Sequence, residues 1–175
     1  MSQYREIVVE HSETTGIVAM CPLNDETNIF VGDFKKDGEK VLRQIEEWLA
    51  TKCNTSRGGD SKFLMPNAQM WERFIGQWSP AHWYFDTLDV ESYLYGMCAA
   101  LELEPLPLSI LESVVLPPYQ DGNESEIVAA RARLYRKFKQ LEEFHDEFCR
   151  LVNKSVTQLQ FDIALAEVGG RASGN

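Results

Sequence analysis

The order of apolar and polar positions divides this chain into short strand-like runs, then amphipathic helices, then one long apolar stripe. Glu6 to Glu10 contains Ile7-Val8-Val9, and Ile17 to Cys21 is again apolar and partly β-branched, with Ser12-Glu13-Thr14-Thr15-Gly16 between them. That pattern predicts two strands joined by a tight turn. Thr27 to Val31, following the turn signal Asn24-Asp25, is the expected third strand and completes an antiparallel meander. Asp37 is placed to cap a helix from Gly38 to about Lys52, in which Val41, Leu42, Ile45, Trp48 and Leu49 share one face. Asn54 to Asp60 is polar and carries Gly58-Gly59, so a loop is expected there.

The alternation continues with Phe63-Leu64-Met65 as a short strand. Asn67 then caps a second helix, whose apolar positions are Met70, Trp71, Phe74, Ile75 and Trp78 and which should stop at Ser79-Pro80. Trp83-Tyr84-Phe85 reads as an aromatic strand, and Asp89 caps a third helix carrying Val90, Tyr93, Leu94, Met97, Cys98 and Leu101. Pro105, Pro107, Pro117 and Pro118 bracket Leu108 to Leu116, leaving room only for a short element.

Asn123 with Glu126 has the spacing of a capping box, and Ile127, Leu134, Phe138, Leu141, Phe148 and Val152 recur behind it at sevens, fours and threes. A long amphipathic helix over 123–152 is expected. It extends to 168 if Val152, Val156, Leu159 and Ile163 are read at helical spacing, or gives way to a strand if the alternation of Leu159, Phe161, Ile163 and Leu165 is followed. Gly169-Gly170 ends either version, with 169–175 as a flexible tail. Arg131 and His145 interrupt the stripe, which favours packing across the domain's own sheet over a long parallel coiled coil; a homodimer mate is the other cover. The fold class is thus α+β: a single domain over 1–175, with a three-stranded meander, packed helices and a long C-terminal helix.

Composition fits a folded domain, with 44% hydrophobic and 25% charged residues among 175. The 27 acidic and 17 basic residues give a net charge of −10, a field that repels phosphate backbones and attracts basic partners, so direct nucleic-acid binding is disfavoured. The one basic cluster, Arg131, Arg133, Arg136, Lys137 and Lys139, reads as a solvated helix face. Cys21, Cys53, Cys98 and Cys149 include no C-x-x-C pair, and neither a signal core nor a membrane-length apolar run is present, so a cytoplasmic address is expected, without membrane contact.

Intact catalytic signatures are missing. No glycine-rich phosphate loop, G-x-S-x-G elbow or H-E-x-x-H occurs. Glu142-x-x-His145 with Cys149 is a single half of a paired metal motif, so no metal site is assigned there. Asp86, Asp89 and Glu91 form a small carboxylate group, for which helix capping by Asp89 is the simpler account.

Four short words together resemble the DnaQ-like 3′-to-5′ exonucleases. Ile7-Val8-Val9-Glu10-His11-Ser12-Glu13-Thr14-Thr15-Gly16 is similar to their first motif, an apolar strand followed by D-x-E-T-T-G, with His11 in place of the aspartate. Pro66-Asn67-Ala68-Gln69-Met70-Trp71 echoes H-N-A-x-F-D, Asp86-Thr87-Leu88 a common D-T-L segment, and Tyr119 with Glu124 the last motif. The resemblance implies a ribonuclease-H-like fold and a site in which four carboxylates hold two Mg²⁺ or Mn²⁺ ions for attack by water. Of those four only Glu13 is unchanged; His11 and Trp71 replace two aspartates, and tryptophan cannot ligate an ion. The same residues also have a purely local reading, as a hairpin turn and helix caps.

The favoured functional expectation is a noncatalytic acidic interaction protein. It would engage a basic protein partner through an aromatic face of Trp71, Trp78, Trp83 and Tyr84, in its sharpest form by occupying a nucleic-acid-binding groove of that partner. The alternative is a metal-dependent 3′-to-5′ nuclease or an inactive relic of one, with Glu13, Asp86, Asp89 and Glu124 as its acidic residues and Mg²⁺ or Mn²⁺ as cofactor.

Overall fold

In a computed structural model, which describes residues 6–53, 62–78, 86–100, 102, 104 and 107–143, the apolar runs form a five-stranded mixed sheet covered by helices on both faces. Strands β1 (Glu6–His11) and β2 (Ile17–Pro22) pair antiparallel, joined by the predicted turn. Gly16 adopts φ +77, and a Cβ there would lie 2.6 Å from Cγ of Lys35, so the turn needs glycine both for its backbone and for its fit against the next helix.

Strand β3 is Phe30–Asp33, displaced toward the C-terminus from the expected Thr27 to Val31. Thr27 is drawn into a turn, where its N–H and hydroxyl both donate to Oδ1 of Asp25. Asn28 is held by α1 (Phe34–Lys52): its amide donates to the Lys52 carbonyl and its Oδ1 accepts from Nε1 of Trp48. Those bonds satisfy 27–28 away from the ladder, and pairing with β2 begins only at Phe30.

Helix α1 carries two caps. Asp33 accepts from the Lys35 N–H at 3.0 Å, the backbone leaves helical geometry at Asp37, and Asp37 then accepts from the Lys40 N–H at 3.1 Å. The predicted Gly38-to-Lys52 helix is the second segment of α1. Its solvent face is densely charged, with Lys36, Asp37, Glu39, Lys40, Arg43, Glu47 and Lys52 exposed.

Strand β4 (Lys62–Met65) adds parallel to β1, and β5 (Asp86–Asp89) adds parallel to β4, giving the order β3-β2-β1-β4-β5. Helix α2 (Ala68–Ile75) begins at the Asn67 cap and ends at Gly76, short of the expected Ser79-Pro80, because Gln77 and Trp78 donate to Phe74 and Ile75 in a tightened last turn. The expected Trp83–Phe85 strand and the 54–60 loop lie outside the described residues.

Helix α3 (Val90–Ala100), α4 (Leu108–Val115) and α5 (Glu124–Glu143) complete the fold. Exposed Gly96 in the middle of α3 lowers helix stability by about 1 kcal/mol relative to alanine. The capping box at Asn123 is not formed: its Oδ1 accepts from the Gln120 N–H and its amide donates to the Pro118 carbonyl, closing the preceding turn instead.

The sheet's pleat sorts the core into two layers. Ile7, Val9, Val18 and Met20 face α1 and α2, while Val8, Ala19 and Cys21 face the other three helices. Burial on both sides explains why β1 reads as a continuous apolar run. Helix α5 lies on β1 and β2, with Val128, Ala132, Leu134, Tyr135 and Phe138 in the core, so the described part of the stripe packs across the chain's own sheet. Its expected continuation through 152 or 168, with His145 and Cys149, lies outside the described residues, as does the 169–175 tail. No helix among the described residues is long and apolar enough to cross a membrane.

Candidate functional site

The parallel strands β1 and β4 end on the same side of the sheet, where their carboxyl ends open into a crevice, the usual position for a site in sheets of this kind. A cleft of about 600 Å³ opens between the end of β1, α4, the 117–119 turn and α5. A second of about 300 Å³ lies toward α2, lined by Glu13, Asn67 and Met70, and the two share Glu10, His11 and Arg131.

The centre of this region is a buried ion network. Arg131, on the apolar stripe of α5, is 6% exposed and donates through Nε and Nη2 to the two carboxylate oxygens of Glu112 at 3.0 and 3.2 Å. Its Nη1 donates to the Val9 carbonyl at 3.1 Å and to Oε2 of Glu10. The Tyr135 hydroxyl donates to Oε1 of Glu112 at 2.8 Å. The guanidinium keeps its proton despite burial, because Tyr135, Glu10 and Glu112 surround it. Burial pushes the Glu10 carboxyl above its ordinary range, against the pull of Arg131.

Sequence reading missed this network, although it left a signal: one charge inside the apolar 108–116 run and one opposite charge inside the apolar stripe of α5. Two buried charges of opposite sign on adjacent elements are each other's natural partners.

His11 lies beside the network on the α2 side. Its ring packs edge-on against Trp71 with centroids 5.5 Å apart and against Phe74 at 4.8 Å. Burial, reinforced by Arg131, holds its pKa down at about 4, so it is a neutral ring at neutral pH.

The chain therefore brings together His11 and Trp71, two of the positions the exonuclease resemblance assigns to metal ligands. Glu13 stands at the rim of the adjoining cleft. Glu124, 3% exposed, accepts from the Tyr119 hydroxyl at 3.2 Å, and that hydroxyl also reaches Ser12 Oγ at 3.4 Å. Asp86 and Asp89 do not join them. Asp86 opens β5 at the register of Lys62 and Glu6, about 16 Å along the sheet from the level of His11. Asp89 spends both oxygens on caps, accepting from Ser92 N–H at 3.0 Å for α3 and from Ala68 N–H at 3.1 Å for α2.

These donors do not fit a two-metal centre. Among the described residues no three His, Cys, Asp or Glu side chains are grouped to hold an ion. His11 and Trp71, which the exonuclease resemblance sets in place of two aspartates, pack on one another, and Arg131 acts on His11 as a nearby positive charge.

The expected aromatic face is corrected at Trp71. Trp71 is 2% exposed, and Trp78 packs on Phe34 and Phe74 at 5.1 and 5.0 Å while lying over Gly38, whose Cβ would fall 2.3 Å from the ring. Trp71 serves the core, because α2 turns its Trp71, Phe74 and Ile75 stripe inward, and Trp78, half-buried beyond the end of α2, packs against that core. Trp83 and Tyr84 lie outside the described residues.

The basic cluster on α5 is largely neutralised. Arg133 and Arg136 meet Glu26 at 2.7 and 3.6 Å, Lys139 meets Glu6 at 3.0 Å, and Arg131 is internal. Comparison with known proteins gives no match: no protein-family model, curated protein or solved structure is similar to this chain.

Proposed function

We propose that this chain is a noncatalytic acidic interaction protein, built on a scaffold akin to the DnaQ-like exonucleases and binding a basic segment of a protein partner at the crevice above β1 and β4. The order of elements, three strands, helix, strand, helix, strand, helix, agrees with that scaffold. So does the meeting of His11 with Trp71 at one end of the sheet. The observation that carries the noncatalytic reading is that contact itself: an imidazole against an indole where carboxylates would have to hold metal.

Glu10, Glu13 and Glu112 line the crevice against a single cation, Arg131, which is already held between two of them. With a molecular charge of −10, the site suits lysine or arginine side chains and repels phosphate. In its sharper form, the carboxylates stand where phosphates would lie in the partner's own nucleic-acid groove.

The test is affinity capture from the native host at about 50 and 500 mM salt, a range over which the screening length falls to several ångströms. A basic protein retained at low salt, released at high salt and lost with Glu13→Lys is expected. Capture indifferent to salt, or degradation of single-stranded DNA or RNA by the pure protein with added Mn²⁺, overturns the proposal.

A further inference from the structure

The larger cleft, of about 600 Å³, has two kinds of wall. On α4, Ser109, Glu112, Ser113 and Leu116 recur at helical spacing and share the face that lines it. The chain continues that wall through Pro117 and Pro118, and Ile127 adds to it from α5, so one part of the lining is apolar. The other part is polar, with the carboxylates of Glu10 and Glu112 and the hydroxyls of Ser12, Ser109 and Ser113. A lining of this composition matches a side chain that is itself apolar along its stem and charged at its tip.

The sign of that tip follows from the charges in place. Three carboxylates, of Glu10, Glu112 and the buried Glu124, stand around one guanidinium, that of Arg131. Arg131 is the one cation among the described residues of the lining. It does not offset the burial of Glu10, whose carboxyl stays above its ordinary range. A second cation beside Glu10 supplies the missing charge, whereas an anion meets carboxylates.

Hydrogen-bond geometry selects an ammonium over a second guanidinium. Glu112 has both oxygens engaged, Oε1 by Nε of Arg131 and the Tyr135 hydroxyl, and Oε2 by Nη2 of Arg131. Oε2 of Glu10 already accepts from Nη1. The planar fork of an arginine needs a carboxylate with both oxygens open to it, and Arg131 has taken that position on Glu112. An ammonium is a compact charge with three donors and is satisfied by separate single acceptors. Exposed Ser109 and Ser113 offer these; the Ser113 hydroxyl donates to the Ile110 carbonyl at 2.7 Å, which leaves its oxygen to accept.

We propose that this cleft is the anchor pocket for one lysine side chain of the basic partner, its methylenes on Leu116, Pro117, Pro118 and Ile127 and its ammonium at Glu10 and the serine hydroxyls. A lysine anchor rests on the basic-segment reading of the crevice and narrows it to one side chain. The second cleft, of about 300 Å³, argues for a polypeptide over a free amine. It shares Glu10, His11 and Arg131 with the first and runs on to Glu13, Asn67 and Met70, so the space continues past the head of a single side chain and has room for the chain that carries it.

Titration of the full chain with the blocked peptide acetyl-Ala-Ala-Lys-Ala-Ala-amide, followed by amide chemical shifts, tests the pocket. Saturable shifts at Ser109, Ser113 and Ile127 are expected. Acetylating the lysine ammonium weakens binding at least about tenfold, because the charge that meets the carboxylates is gone. Arginine in its place weakens binding severalfold. n-Butylamine, the same stem and ammonium without a backbone, binds at least about tenfold more weakly than the peptide. Ser113→Trp fills the cleft without changing net charge and abolishes the shift at Ile127; Ser109→Trp does the same from the other end of α4 and serves if the first variant does not fold. Shifts that do not saturate, binding indifferent to lysine acetylation, or binding undiminished in a folded tryptophan variant overturns the pocket. Equal binding of n-butylamine overturns it as a site for a partner's side chain. Salt-sensitive capture of a basic protein that survives the tryptophan variants sinks the pocket and leaves the acidic-interaction reading standing. Peptide binding by a chain that captures no basic protein supports the pocket and sinks that reading.

Discussion

At the scale of single residues, Arg131 acts on His11 through its charge, and the two contribute to stability in different ways. Arg131→Met leaves Glu10 and Glu112 buried without a counter-charge and is expected to destabilise the fold by about 3–5 kcal/mol at neutral pH. Adding Glu10→Gln and Glu112→Gln should recover much of that loss in urea denaturation, since it removes the stranded charge. His11 has its folded pKa lowered from 6.5 to about 4, so its neutral form stabilises the fold fully above 6.5. That contribution, about 3 kcal/mol, is lost as pH falls toward 4, where the unfolded chain binds a proton that the folded chain refuses. His11→Phe should flatten stability between pH 6.5 and 4 relative to the parent. Glu10, with its carboxyl pushed up, works in the opposite sense in both proteins and cancels in the comparison. Residue identities in the crevice were legible as words, His11-Ser12-Glu13 and Tyr119 with Glu124. The contact of His11 with Trp71 was not, because 60 positions of chain separate them and only the β1–β4 pairing closes that gap.

At the scale of elements, the caps were the most legible feature. Asp37, Asn67 and Asp89 each cap the helix their position predicted, since a capping side chain acts on a backbone N–H two or three residues away. Asn123 was misread because the preceding proline turn offers its amide closer partners. The third strand slipped for a similar reason: local bonds from Asp25 and Trp48 outcompeted the ladder. Asp89 differs from an ordinary cap by serving two helices at once. Asp89→Ala should therefore cost roughly 2 kcal/mol, about twice the loss from Asn67→Ala, because two N–H groups lose their acceptor instead of one. Chemical denaturation of the two variants measures the difference.

At the scale of the whole molecule, the α+β class and the meander follow from local patterning, whereas the sheet order does not. Placing β4 and β5 beside β1 depends on crossovers whose length and direction leave no periodic trace in the sequence. The same long-range closure bears on synthesis. Cys21 on β2 and the Val128 carbonyl it approaches at 3.7 Å are 107 residues apart in the chain, and α5 is what covers that face of the sheet. At roughly 5–20 residues per second, a ribosome takes about 5–20 s to make the intervening chain. Throughout that interval the nascent meander shows Val8, Ala19 and Cys21 to water. Ribosome-bound chains stalled before α5 emerges should cross-link to chaperones along β1 and β2, and chains stalled after it has cleared the exit tunnel should release them.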